Sequence, residues 1–304
     1  MPLAIWLIYF VKRKFLWRKV FKDANFLITD KSKYCSVDGV RLHYTEQGRG
    51  ENLLLLHGIG ASIYCWRKLI PYLENSFRIW SVDIMGFGLS DKPKNANYDL
   101  SSQARLLTKF LEANGVNKCV LVGNSMGGAI AAEMLIQNPQ GIAGLVLINS
   151  AHDPRIVRFD LRKIKFLTNV FRPFVTRRFI RIILKKLYSD QKNITNQTID
   201  TYLSPYMKDE DSIRAFVNSF DSLMDSTLIS RLKNTSRKIL ILLGQKDNFV
   251  PMKFGIELHH CLPSSKIKIH SAAGHHLQEE EPEWTAREIN EFLTLSQDVK
   301  LENS

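Results

Sequence analysis

Apolar and polar positions fall into two textures along the chain. From residue 37 onward, short apolar runs recur between glycine-bearing stretches: "NLLLLHGIG", "FRIWSVDIMGFG", "KCVLVGNS", "GIAGLVLINS", "RKILILLGQKD" and "SSKIKIHSAAGHH". The continuous runs among them, apolar at successive rather than alternate positions, predict strands buried on both faces of a mostly parallel sheet. Segments of helical character separate them, among them "MGGAIAAEMLIQNP" directly after the third run, and "EPEWTAREINEFLTL" near the end. Strand and helix in alternation predict an α/β fold with helices on both faces of the sheet. "SVDGVRLHYTEQG" places Asp38-Gly39 between two alternating segments, a hairpin signal, and predicts antiparallel strands added at the front.

Between about Ala151 and Arg237 the strand rhythm stops. Basic, aliphatic and aromatic residues at helical spacing predict an inserted helical cap over 151–237, splitting a core of 37–150 and 238–296. Residues 1–36 read as a separate apolar and basic segment, and 297–304 as a polar tail.

Charge sharpens two of these regions. The net charge of +12 is concentrated in Lys12, Arg13, Lys14, Arg18, Lys19 and Lys22, and in a second series from Arg155 to Lys186 in which Asp160 alone is acidic. Interleaved with Phe, Ile, Leu and Val, these blocks suit an anionic lipid surface better than nucleic acid, which is not expected as a partner. The opening "MPLAIWLIYFV" is too short to span a bilayer, and its positive charge follows the apolar run instead of preceding it as in a secretory signal. A segment lying in a membrane interface, or a short anchor, is expected, with the catalytic domain on the cytoplasmic side; a purely cytoplasmic protein is the alternative. Cys35, Cys65, Cys119 and Cys261 are scattered, without metal-binding spacing, and read as reduced packing residues; neither a metal nor a cofactor is expected.

The chemistry centres on Gly123-Asn124-Ser125-Met126-Gly127, a Gly-x-Ser-x-Gly segment between an apolar run and a helical one. Small residues on either side permit a tight strand-to-helix turn that lifts the serine hydroxyl to a helix N-terminus. A hydroxyl needs a base, and the base needs a carboxylate to orient it. Asp247 and His275 each follow a later apolar run, so both are expected at the carboxyl end of the sheet with Ser125. His276 and Asp153 are the substitutes for base and acid, while Asp83 is expected to hold a loop. The backbone N–H groups of Ile59 and Met126 are the expected oxyanion donors.

These segments, with His57-Gly58-Ile59-Gly60, "DIMGFGLSDKP" from Asp83, Val250-Pro251, Gly274, Glu280 and Pro282, resemble the α/β-hydrolase superfamily over about Val37 to Leu295. The resemblance implies an eight-stranded sheet with a helical cap. Serine at position 125 departs from the aspartate of haloalkane dehalogenases and epoxide hydrolases. The short loop, the Ser-Met-Gly-Gly core and the apolar N-terminus are similar to membrane-associated monoacylglycerol-type lipases, which implies a serine hydrolase of carboxylic esters on small-molecule or lipid substrates. The alternatives are carbon–carbon hydrolysis of ring-cleavage products, in which Asn124 positions a substrate oxygen, and a non-catalytic binding module.

Overall fold

The computed structural model describes residues 28–157 and 174–301, with side chains described to residue 294. The expected membrane-associating segment, through residue 27, and the basic stretch 158–173 lie outside the described residues. Among the described residues no helix is long and apolar enough to cross a membrane.

Eight strands form one sheet: β1 (Ser32–Val37), β2 (Val40–Gly48), β3 (Glu51–Leu56), β4 (Phe77–Val82), β5 (Cys119–Asn124), β6 (Ile142–Ile148), β7 (Ile239–Gly244) and β8 (Ser265–His270). Their order is β1-β2-β4-β3-β5-β6-β7-β8. β2 runs antiparallel to both β1 and β4, and the pairs from β4 to β8 are parallel. The hairpin is closed by Asp38 and Gly39, both at positive φ.

The continuous apolar runs are explained by the two cores that they serve. Successive strand residues point to opposite faces. Leu54 and Leu56 therefore pack on one side with Trp80, Leu121, Leu145 and Ile241, while Leu53 and Leu55 pack on the other with Ile79, Val120, Val146 and Leu240. Helices α2 (Leu100–Ala113) and α3 (Met126–Gln137) cover the first face. The turn α1 (Ile70–Leu73) and the last helix cover the second.

The insertion follows the sixth strand, as the break in rhythm predicts. It contributes α4 (Arg177–Leu187), α5 (Asn196–Lys208), α6 (Ser212–Asn218) and α7 (Leu228–Leu232), and α4 and α5 share a small core of Ile180, Leu184, Tyr188, Ile199 and Leu203. The chain then closes with α8 (Met252–Cys261), the turn α9 (Leu277–Glu280) and α10 (Pro282–Leu301).

Two boundaries differ from the sequence reading. β1 begins at Ser32, inside the span assigned to the N-terminal segment, because its register against Arg41 to Thr45 extends that far. Only Val37 of this strand is buried, so no apolar pattern marks it. α10 runs to Leu301, past the expected end of the core at 296, since no glycine or proline interrupts it after Pro282.

Buried polar residues fix the loops at the carboxyl ends of the strands. Asp83 is wholly buried and accepts from Ile63 N (2.7 Å), Leu89 N (2.8 Å) and the His43 imidazole (2.7 Å), so it does hold a loop as expected. Burial opposes its charge, but these donors keep the carboxyl below its usual range. His57 accepts the Ile84 N–H at Nε2 (3.0 Å), which puts its proton on Nδ1, where it meets Gly58 O at 2.8 Å. His152 is likewise buried, between the carbonyls of Ser150 and Phe254. Burial lowers the affinity of both imidazoles for a second proton.

A second polar cluster fastens the cap to the core. Glu279, wholly buried, accepts from Tyr202 Oη of α5 (2.9 Å) and from Arg67, and pairs with His276 (3.1 Å). Burial would raise its pKa, yet the His276 hydrogen bond and the Arg67 charge hold it at about 2.

These shifts predict an acid limb with two stages. The unfolded chain protonates His57 and His152 near pH 6.5 while the fold resists, so stability complete above that value falls below it, by up to ~1.4 kcal/mol per pH unit for each histidine. Glu279 adds a loss beginning near 4.5 and complete near 2. Urea titrations between pH 8 and 2 check both stages; a midpoint constant from pH 7 to 5 contradicts the first, and one constant from pH 4.5 to 2 contradicts the second.

Candidate functional site

Ser125 joins β5 to α3 with φ 54° and ψ −121°. A non-glycine residue at this φ is strained, and the surroundings hold it there. Ser125 N donates to Ile148 O (3.0 Å), and Ser125 O accepts from Gly128 N and Ala151 N, each at 3.0 Å. The flanking glycines are required by close approach rather than by φ. A Cβ on Gly123 would meet Gly127 O at 2.3 Å, and one on Gly127 would meet Leu56 O at 2.1 Å.

Asp247 follows β7, and His275 follows β8. Their side chains are buried, and His275 Nδ1 lies 2.6 Å from Asp247 Oδ2. The second carboxylate oxygen, Oδ1, accepts from Phe249 N (2.7 Å) and Val250 N (2.9 Å), which fixes the acid's rotamer. His276 and Asp153, the substitutes considered for base and acid, are engaged elsewhere: His276 with Glu279, and Asp153 with Arg155 at 2.6 Å.

Asn124 Nδ2 spans from the serine's own strand to the histidine loop, donating to Ile148 O (3.1 Å) and His275 O (3.2 Å). Its Oδ1 is buried without a partner. The amide donors that the carbon–carbon alternative would turn toward a substrate are thus committed to backbone carbonyls, which corrects that expectation. No hydrogen bond joins Ser125 Oγ to the imidazole within the described residues; such contacts are commonly long before substrate binds. Neither Ile59 N–H nor Met126 N–H donates to any described residue, so both remain available to an incoming oxygen. The cap lies over this loop: a Cβ on Gly60 would come within 3.1 Å of Phe216 Cε2 and 3.3 Å of Tyr206 Oη.

Two residues of consequence were given no role by the sequence. Asn149, at φ 44°, donates from Nδ2 to Gly274 O and His275 O, each at 3.0 Å, and accepts from Gly244 N at 2.9 Å. It ties the ends of β6 and β7 to the histidine loop. Glu280 links that loop to the cap. Its Oε1 accepts from Gly274 N (2.9 Å), and its Oε2 from Ser189 N (2.8 Å), Ser189 Oγ (2.6 Å) and Asp190 N (3.0 Å). Beside it, His275 N donates to Leu187 O at 2.8 Å. Glu280 stood out in the sequence only through the family resemblance; Asn149 did not stand out.

The chain as a whole is similar to known proteins. A family model described as the alpha/beta hydrolase fold matches residues 51–282. A protein named uncharacterized hydrolase YugF, from Bacillus subtilis, is 30% identical over 266 residues, covering 85% of this chain and 96% of its own. A 2-hydroxy-6-oxononadienedioate/2-hydroxy-6-oxononatrienedioate hydrolase from Burkholderia vietnamiensis is 30% identical over 275 residues, covering 86% of this chain and 95% of its own. Among solved structures, one titled as a membrane phospholipase A, a bacterial virulence factor, superposes with a TM-score of 0.76 at 25% identity, covering 97% of this chain and 95% of its own. The family model spans more than half of the chain, and the chain belongs to the α/β-hydrolase family.

Proposed function

We propose that this chain is a serine hydrolase that attacks a carbonyl carbon with Ser125. The observation that carries the reading is the buried Asp247–His275 pair at 2.6 Å, on the same rim as a serine held at positive φ. His275 takes the serine proton through Nε2 as the hydroxyl adds to the carbonyl, and Asp247 orients the ring and stabilises its charged form. The N–H groups of Ile59 and Met126 receive the developing oxyanion, and a single donor of this kind is typically worth ~10²–10³ in turnover. Collapse of the adduct leaves an acyl group on Ser125 and returns the proton to the leaving group. Water, deprotonated by His275, releases the acid.

Cleavage of a carbon–carbon bond in a vinylogous diketone is the better-supported bond class. Curated relatives at 27–30% identity are named for hydrolases of 2-hydroxy-6-oxo dienoates, over 83–86% of this chain. The leaving group is then a carbanion delocalised into the conjugated carbonyl as a dienolate, and the proton from His275 ends on it. Asn124 serves this chemistry by fixing the histidine loop, its amide donors being occupied. Ester hydrolysis at a membrane, the first expectation from sequence, stands second. One observation favours it: the solved structure titled as a membrane phospholipase A is similar to this chain at 25% identity, with a TM-score of 0.76. Assaying a ring-cleavage product beside mono- and diacyl lipid esters separates the two, since turnover of one class alone rejects the other.

Ser125→Ala is expected to lose on the order of 10⁵–10⁶ in turnover on whichever substrate the panel identifies, and to lose all labelling by a fluorophosphonate probe. A variant that retains the parental rate rejects the serine mechanism.

Asn149→Asp keeps the shape but removes both donors to the histidine loop. Turnover is expected to fall on the order of 10²-fold, because the base is no longer held in line. Stability is expected to drop by about 2–4 kcal/mol, because Gly274 O loses its donor and a carboxyl oxygen is set against both carbonyls, with Asn124 alone still donating to His275 O. Steady-state kinetics and urea unfolding of the same preparation test both halves.

A further inference from the structure

The cap presents a helix face that nothing in the described residues covers. In α4 only Ile180 and Leu184 are buried, and they point into the small cap core. At 100° per residue, the opposite arc carries Arg181, Lys185, Arg178, Ile182, Lys186 and Phe179 in that order around the helix. Ile182 is 48% exposed and Phe179 45%, with Phe174, just before the helix, at 60%. No acidic residue lies on α4. Arg177 on its flank pairs with Asp200, but the side chains of Arg178, Lys185 and Lys186 have no partner among the described residues.

We propose that this face of α4 is a docking surface for an anionic phospholipid bilayer, lying in the plane of the interface. The cations match phosphate and acidic headgroups, and each basic side chain near such a surface strengthens binding several-fold. The apolar residues between them distinguish lipid from other polyanions. A nucleic acid backbone or an acidic protein tail gives Ile182 and Phe179 nothing to enter, whereas at a bilayer they reach the acyl boundary while the Lys and Arg stems lie along it. The helix has 11 residues, a length of about 16 Å, and its last carbonyl, Leu187 O, accepts the backbone N–H of His275. The docked face therefore ends at the histidine loop, which puts the rim of the site beside the membrane. The inference holds for either bond class, so its failure leaves the proposed chemistry standing.

The test uses the full-length chain with Cys35→Ser and Cys261→Ser, an environment-sensitive fluorophore on Ile182→Cys, and vesicles of phosphatidylcholine with or without phosphatidylglycerol. A blue shift on the anionic vesicles and none on pure phosphatidylcholine is the expected result. In the same background Arg178→Glu/Lys185→Glu/Lys186→Glu is expected to weaken the shift-monitored affinity by about 100-fold or more. Unchanged emission while the protein sediments with anionic vesicles would overturn the proposal, because another part of the chain then makes the contact. An equal shift with a single-stranded oligonucleotide would overturn it in favour of a general polyanion site, and charge reversal without effect on the vesicles would overturn it because the cations of this face would then carry none of the binding.

Discussion

The carbonyl oxygen of His275 accepts from two buried asparagine amides, Asn124 Nδ2 at 3.2 Å and Asn149 Nδ2 at 3.0 Å. One amide sits immediately before Ser125 and the other just past the end of β6, whose Ile148 carbonyl receives the Ser125 N–H. A short path of hydrogen bonds therefore joins the backbone of the histidine loop to the backbone of the serine turn. Side-chain rotamers alone place a base with less precision, since each free torsion adds scatter. In this interior, where water does not compete, the same bonds are stronger than they would be at the surface, and a missing one is correspondingly costly. The strained serine, the committed Asn124 and the left-handed Asn149 form a single constraint on where the imidazole lies.

The two neighbouring carboxylates of α9 divide the labour around that constraint. Glu279 faces inward and gathers Arg67, His276 and Tyr202, so core and cap share a buried charge. An ion pair of this kind gives little net stability over an apolar substitute, because desolvation offsets attraction, but breaking one partner is severe. Its value here is register: it sets where α5 sits above the sheet. Glu280 faces the seam and meets backbone donors from both sides. The cap is thus held by polar contacts of defined direction, with Tyr206 and Phe216 closing over the loop that contains Ile59.

Much of this was legible in the chain because it is local. The buried strands show as unbroken apolar runs, and the serine turn shows as glycines that no side chain can replace. Asp247 and His275 are visible because a parallel sheet delivers the residues after successive strands to one rim. What stayed hidden depends on partners distant in sequence. Asn149 bonds to residues 125 and 126 positions away and looks like any loop asparagine. Tyr202 and Arg67 meet Glu279 from the cap and from the far side of the core. The start of β1 was misplaced for a different reason: five of its six residues are not buried, so hydrophobicity leaves no trace of where the strand begins. The role given to Asn124 changed because one-letter motifs record a side chain's identity and not its existing hydrogen bonds.

The seam at Glu280 bears on how such a scaffold diversifies. Most of its contacts on the cap side are to main-chain groups, the amides of Ser189 and Asp190 and the carbonyl of Leu187. Main-chain groups are common to every residue type but proline as donors, and to all as acceptors. Descendants can therefore exchange nearly every cap residue, and with it what the enclosure admits, while the join to the sheet stays intact. Chain length at that junction is the tighter constraint: gaining or losing one residue between Leu187 and Asp190 would slide the amides off the carboxylate and disturb the imidazole behind it.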